Sequence, residues 1–220
     1  SHEIRTPMNG ILGFTDLLRT PGLSGKEQDE NIQIIQKSGD RMLNIINDII
    51  NISMIESGQV KVNYLNTNLN EQIEFIEKFF RPEIEAKGLK LFSQASLPDN
   101  EVTISTDREK VYAILTNLVK NAIKFTNNGY IRLGYTKKMD YLEVFVEDTG
   151  YGISDDKKDL IFERFRQGSE ELTRNFEGAG LGLSISRAYA EMIGGSLWLE
   201  SEVGKGSTFY CTIPIVPIKR

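Results

Sequence analysis

Two residue types that carry much of protein chemistry are almost missing: the 220 residues contain one cysteine, Cys211, and one histidine, His2. That excludes a disulfide framework and a Cys/His zinc cluster within one chain. A Ser-His-Asp triad would have to draw its base from the second residue, where chains are usually poorly ordered. Long apolar runs are absent too. The longest charge-free stretch, Gly206 to Ile218, has thirteen residues and two prolines, short of the roughly 18 apolar residues of a membrane helix. There is no basic block, and the net charge of -5 argues against nucleic acid as a partner. The segment before Ile11 resembles neither a signal nor a transit peptide, and a lone cysteine fits a reducing compartment. The expectation is a cytoplasmic segment with no membrane contact of its own. Neither repeats nor low-complexity tracts occur, and 26% charged with 9% aromatic residues is ordinary globular composition.

What is present divides at Gly58. Ile32, Ile35, Met42, Ile45, Ile46, Ile49, Ile52 and Ile55 recur at threes and fours, the stripe of a long amphipathic helix that Ser57-Gly58 stops. A shorter stripe from Ile4 to Leu18 closes at Thr20-Pro21-Gly22, and Ser24 with Glu27 forms a capping box for the second helix. An antiparallel hairpin cannot cover both stripes alone, so a homodimeric four-helix bundle is expected. Because the first helix is the shorter, residues after Ile46 should lack an intrachain partner and the natural protein should extend upstream of Ser1.

Beyond Gly58 the pattern predicts strands at Gln59–Leu65, Leu89–Ala95, Glu101–Ser105, Tyr130–Thr136, Tyr141–Glu147, Ser196–Ser201 and Ser207–Pro214. Helices are predicted over Asn70–Ala86, interrupted near Pro82, over Asp107–Phe125 and over Leu181–Ile193. The mixture lacks regular βαβ alternation, which predicts an α+β class with a largely antiparallel sheet packed in a sandwich.

Four features of this second part could carry chemistry. Asn117 and Asn121 share a helix face with Lys124 one turn later, an arrangement able to hold hydrated Mg2+ and phosphate oxygens or simply to be a polar surface. Glu147-Asp148-Thr149-Gly150-Tyr151-Gly152 follows a strand, where a carboxylate can accept from an exocyclic amine; a plain turn has the same composition. Gly178-Ala179-Gly180-Leu181-Gly182-Leu183 opens a helix whose N–H groups would face an anion, but it fits neither the Walker nor the Rossmann pattern. Asp155 to Glu177 is long and charged, like a lid, with Phe162 and Phe165 as candidate anchors, though a small buried helix explains the two phenylalanines as well. In the first part, His2 stands beside Glu3 and five residues before Pro7, whose missing N–H should loosen the helix there. A neutral imidazole is a competent nucleophile that an adjacent carboxylate can orient; a Ser-His pair can also be a tag remnant.

Taken in order, these features resemble the kinase core of a bacterial sensor histidine kinase over essentially the whole chain. Ser1-His2-Glu3-Ile4-Arg5-Thr6-Pro7 is similar to the phospho-acceptor H box, and Asn117 to Thr126 to the N box. Asp148-Thr149-Gly150-Tyr151-Gly152 resembles the G1 box, Phe162-Glu163-Arg164-Phe165 the F box, and Gly178 to Gly182 the G2 box. Five motifs in family order displace the tag reading.

The resemblance implies a dimerisation and histidine-phosphotransfer hairpin over 1–58 and an ATP-binding domain of the gyrase, MutL and heat-shock chaperone type over 59–220. By that likeness Asn121 ligates Mg2+, with Asn117 helping at the metal and phosphate end, and Lys124 touches phosphate. Asp148 binds adenine N6, and Gly150 and Gly152 shape the pocket. Gly178, Gly180, Leu181 and Gly182 hold the lid end and the phosphates. His2 takes the γ-phosphoryl group with Glu3 as base or orienter and passes it to a receiver-domain aspartate. The phosphate-contacting arginine is ambiguous between Arg166 and Arg164. Pro7-Met8-Asn9-Gly10 resembles hybrid kinases, whose receiver follows on the same chain, and the implied parent is anchored in a membrane through upstream segments. Two alternatives stand beside this reading. One is receiver dephosphorylation at the same surface, which Thr6 would serve; the other is a non-catalytic dimerisation and nucleotide-sensing module, favoured only if His2 or Asn121 were missing.

Overall fold

The computed structural model describes residues 2–95, 97–164 and 180–215, with His2 described in its backbone alone. Its first part is the expected hairpin, α1 (His2–Leu18) and α2 (Gly25–Glu56). Ser24 caps α2: its hydroxyl accepts from the Glu27 N–H while the Glu27 carboxylate accepts from the Ser24 N–H at 2.8 Å. Pro7 is carried inside α1, which continues past it to Leu18.

The second part begins with β1 (Leu65–Asn68), α3 (Leu69–Ala86), β2 (Lys90–Gln94), α4 (Asp99–Val102) and β3 (Thr103–Thr106). It continues with α5 (Arg108–Phe125), β4 (Tyr130–Lys137), β5 (Tyr141–Asp148), α6 (Gly182–Met192), β6 (Leu197–Glu202) and β7 (Gly206–Pro214). Five strands form one sheet in the order β2-β4-β5-β7-β6, antiparallel except for the β2–β4 pair, and β1 pairs with β3 apart from it. Strict alternation in β5 sends Leu142, Val144, Val146 and Asp148 to one buried face. There they join the core built from Ile73, Ile76 and Phe80 of α3, Ile114 and Leu118 of α5, and Ala190 of α6. The opposite face keeps half-buried aromatics, with Trp198 stacked on Tyr210 at 5.4 Å.

Three expectations need correction. No strand covers 59–64. Instead side chains from the start of α5 fasten that segment: Lys110 Nζ donates to the Lys61 carbonyl at 2.8 Å, and Asp107 accepts from the Asn63 N–H at 2.8 Å. Lys110 and Asp107 are themselves a buried ion pair at 2.7 Å. Burial pushes the Asp107 carboxyl up, but the bonds from Lys110 and from backbone N–H groups outweigh it and hold the group below its usual range. Next, α3 runs unbroken through Pro82. Arg81 braces that turn through ion pairs to Glu77 and Glu85, while Phe80 and Ile84 are buried on either side. Finally, the strand predicted at Glu101 starts at Thr103, because Asp99–Val102 is a helical turn closed by the Thr103 hydroxyl on the Asp99 carbonyl at 2.7 Å.

Candidate nucleotide site and its contact with the hairpin

Asp148 ends the middle strand of the sheet, paired with Ile131 on one side and Ser207 on the other. It continues the buried series of β5, so the pleat turns its carboxylate inward and leaves the residue 6% exposed. Burial raises its pKa to about 6, against bonds from the backbone N–H groups of Gly150 (2.8 Å to Oδ1) and Ser207, which lower it. An acceptor held in this way at a strand end suits an exocyclic amine.

The glycines after it answer to protein neighbours. A Cβ on Gly150 would lie 2.3 Å from the Phe125 carbonyl oxygen. At Gly152, φ is +68° and a Cβ would stand 2.0 Å from the Glu202 carbonyl oxygen. The loop is therefore pressed between the end of α5 and the turn joining β6 to β7, to which Gly204 N–H ties it by a 2.8 Å bond to the Tyr151 carbonyl. These close approaches are to protein backbone, so the two glycines set the path of the loop that follows Asp148.

Along α5, the three polar side chains divide. Asn117 donates from Nδ2 to the Ser186 hydroxyl of α6 at 2.9 Å, and its Oδ1 would be 2.4 Å from any Cβ at Gly182. Asn121, one turn on, is half-buried, and the Lys124 ammonium lies over the Phe125 ring at 4.7 Å. Gly180, at φ +67°, leads into Leu181, whose side chain is 1% exposed and turned into an apolar cluster. Arg166, Gly178 and Phe165 lie outside the described residues. Phe162 is buried at the end of a short helical turn, Leu160–Phe162, 6.5 Å from the Phe209 ring.

That apolar cluster joins the two parts of the chain. Ile45 of α2, Leu181 and Ile185 form its buried centre, with Ile4, Ile52, Ile55 and Tyr189 packed around it. The residues of α2 beyond Ile46 thus do have an intrachain partner in part: α6 covers Ile52 and Ile55. Polar contacts frame the seam. Asp48 is half-buried and its pKa is raised by burial, while the Lys120 charge opposes that rise. Glu56 pairs with Arg164 of the F-box segment. In the hairpin, Glu3 lies 3.8 Å from Arg41 of α2.

Sequence reading missed Ser186, Asp48, Lys120 and the Asp107–Lys110 fastening. Only the last left a local trace, since Asp107 and Lys110 stand three apart at a helix start; the others act across elements far apart in sequence.

Residues 1–58 match the family model described as the His Kinase A (phospho-acceptor) domain, and residues 106–217 that of the histidine kinase-, DNA gyrase B- and HSP90-like ATPases. The autoinducer 2 sensor kinase/phosphatase LuxQ of Vibrio parahaemolyticus is 38% identical over 98% of this chain. Sensor protein GacS of Pseudomonas syringae is likewise 38% identical over 98%. The chain spans only 26% and 24% of those two proteins. Among solved structures, histidine kinase ThkA in complex with response regulator protein TrrA matches all of this chain and 60% of its own, with TM-score 0.79 and 27% identity. Full-length ShkA in complex with AMPPNP matches all of it and 45% of its own, at 0.76 and 27%. With a phospho-acceptor family over the hairpin and an ATPase family over most of the part packed against it, the chain belongs to the sensor histidine kinases.

Proposed function

We propose that the chain is the ATP-dependent protein-histidine kinase core of a two-component system. Residues 1–58 serve dimerisation and phosphotransfer, and residues 59–220 bind ATP. The observation that carries this reading is the cluster in which Ile4, two residues after His2, packs with Leu181 of the glycine-rich segment. That contact supports a reading in which the helix bearing the phospho-acceptor works beside the rim of the nucleotide site.

Within that site the Asp148 carboxylate accepts from adenine N6. Gly150 and Gly152 hold the loop beneath it, and Asn117, Lys124, Gly178, Gly180, Leu181 and Gly182 border the phosphates, with Arg166 or Arg164 as the further cation. Asn121, half-buried one turn beyond Asn117, would supply an amide oxygen to Mg2+, a hard cation that takes oxygen ligands. Among the described residues no group of three or more His, Cys, Asp or Glu offers another metal site. Bound Mg2+ supplies charge neutralisation on the phosphates. A His2 ring nitrogen attacks the γ-phosphorus in line as its bond to the bridging oxygen breaks; ADP leaves and Glu3 orients the ring or accepts its other proton. The phosphoryl group then passes to an aspartate of a receiver domain, in trans or on the parent chain. The ThkA–TrrA complex supports a response-regulator partner, and the ShkA complex with AMPPNP supports the nucleotide.

Homodimerisation is supported by the uncovered side of the hairpin. Leu43 is 60% exposed, beside a shallow groove of about 550 Å³ lined by Gln36, Gly39, Asp40, Met42, Leu43 and Ile46. A second reading, receiver dephosphorylation, is favoured by Thr6, exposed one turn after His2, and by the kinase/phosphatase name of the LuxQ relatives.

The test is incubation of the parent protein and its His2→Gln variant with γ-labelled ATP and Mg2+. Acid-labile label on the first and none on the second is expected; equal labelling of both would end the assignment.

A further inference from the structure

The two faces of α6 point to a role for one of its side chains. Leu181, Ile185 and Tyr189 follow at intervals of four and meet the hairpin. Ser186 is the next residue after Ile185, about 100° around the helix, and is 2% exposed on the side that meets α5. Its hydroxyl receives the Asn117 Nδ2–H at 2.9 Å. The other end of the same amide, Oδ1, lies so close to Gly182 that any side chain there would collide with it. Asn117 is thus held at its nitrogen by a hydroxyl, while the bare backbone of Gly182 leaves the space its oxygen occupies.

We propose that Ser186 is a positioning residue of the nucleotide site, locking the Asn117 amide in the orientation it presents at the phosphate end. The inference rests on the nucleotide-binding reading above. A locked amide binds without first losing rotational freedom, and truncating the hydroxyl leaves a half-buried donor unpaired. Because the helix that carries Ser186 also carries the hairpin contact, the amide is referenced to the element that meets the phospho-acceptor helix.

The experiment is a double-mutant cycle on trinitrophenyl-ATP binding with Mg2+, read by fluorescence in the chain, Ser186→Ala, Asn117→Ala and the double variant. Ser186→Ala is expected to weaken binding about five-fold and to raise KM for ATP with kcat held. In the Asn117→Ala background the serine change is expected to add nothing. In a 15N spectrum the Asn117 side-chain NH2 pair should stand apart from solvent-exposed amides and move towards them in Ser186→Ala. Unchanged binding in Ser186→Ala, a penalty that persists undiminished without Asn117, or an NH2 pair that does not move would each overturn the proposal. Failure of the unsubstituted chain to bind the probe would instead overturn the nucleotide-binding reading on which it stands.

Discussion

In the α/β part, Phe80, Ile84, Leu118 and Ile131 are almost wholly removed from water. In the hairpin, Pro7 and Ile45 are the only described residues that reach that state, while Leu12, Leu43 and Ile50 stay open on the surface. The hairpin is somewhat poorer in apolar residues, 20 of 58 against 67 of 162 in the rest of the chain, but spaces them as regularly, so composition alone does not account for the contrast. A sheet with helices on one face can close its core within one chain. Two antiparallel helices cannot, and among the described residues their apolar cover is the patch where Leu181 and α6 meet Ile4, Ile45, Ile52 and Ile55. The α/β part closes a core of its own while leaving Phe75, Phe79 and Phe92 at its surface, whereas the hairpin leaves most of its apolar stripe open.

The largest effect that would test this contrast lies in the closed core. Phe80→Ala should destabilise the α/β part by about 3 to 5 kcal/mol, read from urea unfolding of its tertiary signal. A loss below about 1 kcal/mol would mean that the core is loosely packed. In the open part, Leu43→Asp should leave nucleotide binding intact but weaken the dimer about a hundred-fold by placing an unpaired charge in the bundle. Light scattering during size exclusion reads the mass, and a persistent dimer would show that this face is not the interface.

The smallest effect falls inside the closed part, at its buried carboxylate. The Asp148 pKa is raised from 3.8 to about 6. The protonated form is therefore favoured by folding, and ionising the group costs stability above about pH 6. That cost is relieved as the pH falls towards 4. Asp148→Asn should accordingly stabilise the nucleotide-free protein by up to roughly 2 kcal/mol at pH 7. The gain should shrink to nothing near pH 4, while adenine recognition is lost at both. Calorimetry at the two pH values, with nucleotide titration beside it, checks the sign.

Much of this was legible in the residues. The capping box at Ser24 and Glu27, the stop at Gly58 and the alternation of β5 are local patterns with local causes, and each sits where it was expected. Asp148 was legible as a carboxylate at a strand end, although its burial follows from the pleat of its strand and neighbours on β7. The strand expected over 59–65 failed because an extended stretch of apolar and polar residues reads the same whether its backbone pairs with a strand or with the side chains of Asp107 and Lys110. Pro82 was overruled by the burial of Phe80 and Ile84 and by the ion pairs of Arg81. Ile52 and Ile55 belong to the same stripe as Ile46 and Ile49. No spacing separates residues meant for α6 from those meant for a second hairpin.

The fastening by Asp107 and Lys110 also sets how far the two parts can separate. The Gln59 N–H is bonded to the Met54 carbonyl at the end of α2, and the Lys61 carbonyl to Lys110, so Val60 alone lies between the two anchorages. Two Cα steps give a leash of at most about 7 Å. While both bonds hold, the α/β part can turn about that point but is kept within that reach of the C-terminal end of α2.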